Sequence, residues 1–207
     1  EPGRALFAGP GMSELVERLR RLHAEGHARE VEGLRDDRWF SPPEVRDAAV
    51  LAAITDGPRP GFLLIHRPTN MRSHPGQVAF PGGKVDPGET PVEAALREAY
   101  EEMGIRERDV TVIGTSDIYR TGTGYSITPV LAVVPPEIEI SPSPTEVAAW
   151  FEAPVDFVFN SANHSHNAAT YMGQERRYIE IMWQQHRIWG VTAAIINNLS
   201  RRIDWNG

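Results

Sequence analysis

Three glutamates, Glu98, Glu101 and Glu102, lie within one short stretch of the chain and have the spacing of neighbours on a helix. At about 100° per residue they occupy one side, opposite an apolar face that includes Val92 and Met103. Like charges at i,i+3 and i,i+4 destabilise an isolated helix by a few tenths of a kcal/mol each. Carboxylate oxygens are also the ligands that Mg²⁺ and Mn²⁺ prefer, so this spacing indicates a divalent metal site.

The helix that carries these glutamates is predicted to span residues 91–103. Thr90 suits the N-cap, Glu93 completes a capping box, and Pro91 suits the first helical position. Gly104 suits the left-handed residue that follows a helix. Both ends of the helix are therefore defined by the sequence.

Two elements are expected to support the glutamates. Gly82 and Gly83 come just before the helix, where a backbone without Cβ atoms can approach a metal or a phosphate closely. Arg97 lies one helical turn from Glu93 and Glu101, so we expect it to orient carboxylates through forked hydrogen bonds instead of contacting substrate. The alternative, a solvated acidic face without function, is disfavoured by the adjacent glycine turn.

The region 83–105 resembles the Nudix box of the Nudix hydrolases. The matching residues are Gly83, Glu89, Arg97, Glu98, Glu101, Glu102 and Gly104. The resemblance implies an α+β fold, an α/β/α sandwich with a mixed sheet, and a diphosphatase that uses Mg²⁺ or Mn²⁺. It also implies catalytic roles for Arg97 and the three helix glutamates, and metal ligands at Glu98, Glu101 and Glu102.

A second segment, upstream, is similar to the coenzyme A diphosphatase subgroup of that family. The matching residues are Leu63, Leu64, Arg67, Arg72, Gly76 and the run 80–83, whereas Ile65 and Pro68 depart from the subgroup pattern. The resemblance implies hydrolysis of coenzyme A, or its acyl or oxidised forms, to 4′-phosphopantetheine and adenosine 3′,5′-bisphosphate. Guanidinium groups match phosphate geometry. The candidate substrate-binding residues are therefore Arg67, Arg72, Gly82 and Gly83.

Other readings remain open at this stage. The same metal chemistry would serve ADP-ribose, NADH or another nucleoside diphosphate derivative. A binding module that keeps the fold without turnover is a further alternative, since fold alone does not establish activity. Glu146 is a candidate for an additional ligand or base outside the helix. Arg67 and Arg72 could equally be surface arginines that do not bind substrate, because the sequence pattern would be the same.

The composition limits the classes of partner. A chain of 207 residues with net charge −7 and no cysteine is not expected to bind nucleic acid, a membrane surface or a thiolate-held metal. The length indicates a single domain over residues 13–207, preceded by a flexible arm or cloning remnant at 1–12. Cytoplasm is the expected location. A helix that begins at Ser13 and stops at Gly26 is a candidate homodimer interface.

Apolar runs predict the remaining elements. Strands are expected at 46–54, 61–66, 77–80, 110–118, 127–134 and 176–183, with a helix near 192–202. The histidines His164 and His166 are interpreted as part of a flexible surface loop, because no third ligand has zinc-site spacing. Trp150, Trp183 and Trp189 are interpreted as core or surface packing residues instead of a base-stacking platform.

Overall fold

The computed structural model describes residues 13–37, 44–70, 76–171 and 173–206. Arg72 and the predicted arm at 1–12 lie outside the described residues. The first elements along the chain are α1 (Glu14–His27), β1 (Arg46–Thr55), β2 (Gly61–His66), β3 (Val78–Ala79), β4 (Gly82–Lys84), α2 (Pro91–Met103), β5 (Thr111–Thr115), β6 (Tyr119–Arg120) and β7 (Tyr125–Val134). The remaining elements are β8 (Ala149–Pro154), α3 (Val155–Val158), β9 (His164–Tyr171), β10 (Gln174–Trp183), β11 (His186–Trp189) and α4 (Gly190–Arg202).

The described strands form two sheets. The larger has eight strands and is mixed: β1 and β7 are parallel, and the other pairs are antiparallel. The smaller sheet has three strands in the order β11-β10-β9. None of the described helices is long and apolar enough to cross a membrane.

The large sheet divides at one end to receive the glycine turn. At the other end β1 pairs with β2, at Ile54 and Phe62. Toward the divided end β1 pairs with β4, with Val50 opposite Gly82, and β2 pairs with β3. The turn between β3 and β4 is held there because the Leu51 N–H donates to the Pro81 carbonyl over 2.8 Å. The sheet itself therefore positions Gly82 and Gly83.

Strand alternation separates two cores. In β1, Ala49, Leu51 and Ala53 face α2, whereas Ala52 and Ile54 face the core that includes α1 and α4. Burial on both faces explains why β1 reads as an almost continuous apolar run. Helices cover both faces of a mixed sheet, so the predicted α/β/α sandwich of the α+β class is confirmed.

Several local predictions were wrong, for tertiary reasons. Helix α1 continues through Gly26 to His27, because Gly26 serves close packing: a Cβ there would lie 1.8 Å from the Arg202 carbonyl oxygen. His164 begins strand β9 and is buried, where its Nε2 donates to the Val158 carbonyl over 2.7 Å, so the flexible-loop interpretation fails. The run predicted at 110–118 ends as a strand at Thr115.

Helix α1 uses its apolar side within the chain. Leu15, Leu19 and Leu22 are buried in the core that α4 shares. The predicted role of this helix in a homodimer is therefore limited to its remaining surface and stays a prediction, as does the single-domain assignment.

A forked ion pair joins α4 to the segment after β5. Arg202 donates from Nε and Nη2 to the two carboxylate oxygens of Asp117, each over 2.8 Å. These bonds lower the pKa of Asp117. A carboxylate with a lowered folded pKa stabilises the fold above its unfolded pKa of about 3.9 and loses that contribution as pH falls through the folded pKa.

Asp117→Asn is therefore expected to lower the free energy of unfolding by about 1–3 kcal/mol at pH 7, because it weakens a partly buried charge-assisted pair. The difference from wild type should shrink below about pH 4, as wild-type Asp117 becomes protonated. Urea unfolding at pH 7 and below about pH 4 measures this difference in the free energy of unfolding. The control is Asp156→Asn, which breaks an exposed pair with Arg59 and should cost under about 1 kcal/mol. An equal loss of stability in both variants would contradict the claim that the Arg202–Asp117 pair stabilises the fold.

Candidate active site

Helix α2 has the limits that the sequence predicts. The Thr90 side chain accepts from the Glu93 N–H, and Glu93 accepts in return from the Thr90 N–H over 2.7 Å. At the other end Gly104 has φ 70°, in the left-handed region that glycine favours. The register of the helix is thus fixed at both ends, and with it the direction of each glutamate.

Glu102 is a buried carboxylate beside the glycine turn. Its residue is 5% exposed, and its Oε2 accepts from the Gly82 N–H over 2.9 Å. Burial raises its pKa to about 8, and the negative charges of Glu98 and Glu146 add to the rise. The Gly82 hydrogen bond and the positive charge of Arg67 act in the opposite direction. An acidic side chain is thus kept where water solvates it poorly.

Glu98 lies one turn earlier on the helix and touches Gly83. A Cβ at Gly83 would lie 2.4 Å from Oε1 and 2.8 Å from Oε2 of Glu98. The carboxylate therefore occupies the space that any other residue at 83 would fill. Burial raises the pKa of Glu98, whereas its 2.9 Å hydrogen bond from Arg97 opposes the rise.

Arg97 connects the helix to the loop before it. Its Nε and Nη2 donate to the two oxygens of Glu89 over 2.7 and 3.0 Å, and Nη2 also donates to the Lys84 carbonyl over 3.0 Å. The two bonds from Arg97 to the Glu89 carboxylate lower the pKa of Glu89 to about 2. With Nη1 on Glu98, one guanidinium joins β4, the loop and α2 into a single rigid frame.

Glu101 lies at the rim. Its side chain is 49% exposed, and its carboxylate is 3.4 Å from Nη1 of Arg97. The structure thus brings Glu98 and Glu102 together at the glycine turn and leaves Glu101 farther out. Within the described ranges, no three carboxylate or imidazole groups meet closely enough to hold a metal ion. Magnesium sites typically take one or two carboxylates and complete the shell with water and substrate phosphates, so a carboxylate pair fits.

Glu146 approaches this pair from a separate segment. The loop after β7 is tied to the end of α2, because the Ser143 N–H donates to the Glu102 carbonyl over 2.8 Å. The charge of Glu146 contributes to the raised pKa of both Glu98 and Glu102. The sequence analysis names Glu146 as a candidate ligand or base, but its distance from the pair depends on how the loop folds back onto the helix.

Arg67 lies at the end of β2, where the sheet divides. Its backbone N–H donates to the Gln77 carbonyl over 2.9 Å. Its Nε is buried and has no hydrogen-bond partner among the described residues, and its charge is felt at Glu102. A cationic donor is thus directed toward the site. Its predicted companion, Arg72, lies outside the described residues.

Trp150 lies in strand β8, which pairs with β2. In the antiparallel pairing of β8 with β2, Trp150 lies opposite Ile65, whose side chain is in the core that α2 covers. The indole is therefore on the same side of the sheet as α2 and is 40% exposed. The interpretation of Trp150 as a core or surface packing residue stays a prediction.

Comparison with known proteins agrees with this geometry. Residues 45–172, more than half of the chain, match the NUDIX domain. The chain belongs to the Nudix hydrolase family. The predictions of a Nudix fold and of a hydrolase that acts on diphosphate bonds are confirmed, with a nucleoside diphosphate derivative as the small-molecule substrate. Members of this family generally use divalent cations.

Among its relatives are proteins named Uncharacterized Nudix hydrolase NudL. The one from Photorhabdus laumondii is 40% identical over 159 residues, which cover 76% of this chain and 85% of the relative. The one from Escherichia coli O7:K1 is 42% identical over 160 residues, covering 76% of this chain and 83% of the relative. A C. elegans Ap4A hydrolase structure is 26% identical with a TM-score of 0.47, covering 54% of this chain and 82% of that one.

Proposed function

We propose that this Nudix hydrolase splits the diphosphate of coenzyme A, or of its acyl or oxidised forms, into 4′-phosphopantetheine and adenosine 3′,5′-bisphosphate. The observation that carries the hydrolytic part is the pair of poorly solvated carboxylates, Glu98 and Glu102, held against the backbone of Gly82 and Gly83. The substrate part is supported by the resemblance of residues 63–83 to the coenzyme A diphosphatase subgroup.

The carboxylate pair fits Mg²⁺ or Mn²⁺. Two acidic side chains with raised pKa values are stabilised by a cation that both can bind, and their oxygens are the donors that these ions prefer. Glu98 and Glu102 would hold the ion, and Glu101 and Glu146 are candidates for a further ligand or for the base that takes a proton from water. When bound, the ion supplies positive charge that neutralises the diphosphate and acidifies a water molecule.

Residues of the chain itself position the diphosphate of the substrate. Arg67 has an unpartnered buried Nε near Glu102, and we assign it to a diphosphate oxygen. We assign the same role to Arg72. The backbone of Gly82 and Gly83 permits close approach of the phosphates, and Arg97 keeps Glu98 in place. These contacts fix the diphosphate before hydrolysis and account for part of the rate.

A substrate panel tests the proposal. Coenzyme A, acetyl-coenzyme A, ADP-ribose, NADH and a nucleoside triphosphate are supplied at equal concentration with Mg²⁺ or Mn²⁺, and the products are identified by mass. Coenzyme A compounds should be cleaved fastest, with 4′-phosphopantetheine or its acyl form as product, and chelator should abolish cleavage. Faster cleavage of ADP-ribose or NADH would refute the coenzyme A assignment. Binding without cleavage of any compound would indicate a non-catalytic module.

Arg97→Lys tests the positioning role. Lysine keeps the charge but cannot bridge Glu89, Glu98 and the Lys84 carbonyl at once, because it lacks the planar fork. We expect kcat to fall by about 10- to 100-fold, the usual effect of removing a group that orients metal ligands, with little change in KM. The control is Arg106→Lys, an exposed arginine just beyond the same helix. If KM rose while kcat held, Arg97 would instead bind substrate.

A further inference from the structure

Trp150 lies on an edge strand beside the proposed site. Strand β8 pairs with β2, and Phe151 and Ala153 on one side of it are buried in the core that α1 and α4 share. Trp150 points to the other side, where α2 and its glutamates lie, and it is 40% exposed. A large aromatic ring is thus presented to solvent on the side of the sheet that carries the site.

The pairing register connects this ring to the phosphate-binding cation. Trp150 is opposite Ile65, and Arg67 follows two residues later, just beyond β2, where its N–H still donates to the Gln77 carbonyl. By strand alternation Arg67 is on the same side as Ile65. Diagonal neighbours of this kind lie roughly 7–8 Å apart, within reach of aromatic and long side chains. The charge of Arg67 is also felt at Glu102, so the guanidinium lies on the same side of the sheet as the carboxylate pair and the indole.

Each of the other tryptophans that the structure describes has a ring partner. Trp183 packs against Phe157, with the Arg59 guanidinium 5.4 Å from its ring. Trp205 is 8% exposed and carries the Arg18 guanidinium over its ring. Trp150 has no aromatic or cationic ring contact among the described residues. The exposed part of the Trp150 ring is therefore accessible to a ligand.

We propose that Trp150 stacks on the purine ring of the nucleoside diphosphate substrate, while Arg67 and the carboxylate pair hold the diphosphate. This proposal rests on the proposed function only in requiring a nucleoside diphosphate derivative, whichever group is attached to its other end. Stacking suits the position, because every purine offers a flat face and an edge-strand indole leaves that face accessible.

Binding of two non-hydrolysable probes separates base recognition from phosphate recognition. The probes are α,β-methylene-ADP and methylenediphosphonate, titrated calorimetrically with Mg²⁺ into wild type and into Trp150→Leu. Loss of one base–aromatic stack should weaken the binding of α,β-methylene-ADP by about 5- to 100-fold. Methylenediphosphonate should bind both proteins equally. Trp150→Phe should recover part of the affinity for the nucleotide probe.

The control is Trp183→Leu, which removes a tryptophan near Arg59 that packs against the core on the side of the large sheet away from α2. It should bind both probes as wild type does. The proposal is overturned if Trp150→Leu binds α,β-methylene-ADP normally, if it loses both probes equally, or if wild type does not prefer the nucleotide probe. Failure of coenzyme A cleavage in the substrate panel, with this binding pattern intact, would refute the proposed substrate and leave the stacking role standing.

Discussion

Glu102→Gln is expected to lower kcat by at least about 100-fold while the protein stays folded. The amide cannot carry the negative charge that a bound cation requires, and loss of one preorganised electrostatic contact typically costs 10²- to 10³-fold. Glutamine can still accept the Gly82 hydrogen bond, and it removes a buried carboxylate. The free energy of unfolding should therefore be unchanged or higher. Steady-state kinetics and urea unfolding measure the two effects.

The matched control is Glu139→Gln, which makes the same substitution at an exposed position on the loop after β7. It should leave both kcat and stability unchanged. Wild-type turnover by Glu102→Gln, at saturating Mg²⁺ or Mn²⁺, would show that this carboxylate does not take part in the reaction. Loss of activity together with loss of the fold would assign Glu102 a structural role instead.

Gly83→Ala is expected to reduce kcat by about 100-fold with little loss of stability. The new Cβ would overlap the Glu98 carboxylate, which is the far end of a side chain and can rotate away at the cost of its hydrogen bond from Arg97. A displacement of about 1 Å at a positioning group can cost 10²-fold in rate. The kcat measured in steady-state assays should therefore fall, whereas the midpoint of thermal unfolding should stay close to that of wild type.

Gly82→Ala provides the contrast, because its Cβ would lie 2.3 Å from the Ala49 carbonyl oxygen and 2.7 Å from the Val50 Cα. Backbone atoms within a sheet cannot move aside, so this variant should lose about 1–3 kcal/mol of stability. Gly57→Ala, with ordinary contacts only, should match wild type. Equal destabilisation at 82 and 83 would contradict the claim that Gly83 makes room for Glu98.

Local chemistry explains which parts of the fold were readable from the sequence. Helix α2 was predicted with correct limits, because Thr90, Glu93 and Gly104 determine its ends through neighbouring residues. Strands β1 and β7 were found because both faces of each are covered, which leaves a long apolar run. Short strands such as β4, whose pairing depends on a division in the sheet, have no such pattern.

The sequence likewise predicted those parts of the site that depend on neighbouring residues. The glutamate spacing on α2 and the glycine turn are local features, and the structure brings Glu98, Glu102, Gly82 and Gly83 together. The side of the sheet on which Trp150 lies could not be predicted, because it depends on which strand β8 pairs with. The approach of Glu146 to the pair likewise depends on a loop that folds back onto the end of α2.

Titration with Mn²⁺ tests the central claim most directly. Electron paramagnetic resonance of free Mn²⁺ measures how much ion the protein removes from solution, with no need for turnover. Wild type and Glu139→Gln should bind Mn²⁺ with the same affinity, and the double variant Glu98→Gln/Glu102→Gln should bind at least about tenfold more weakly. Equal Mn²⁺ binding by wild type and the double variant would contradict a metal site between these two carboxylates.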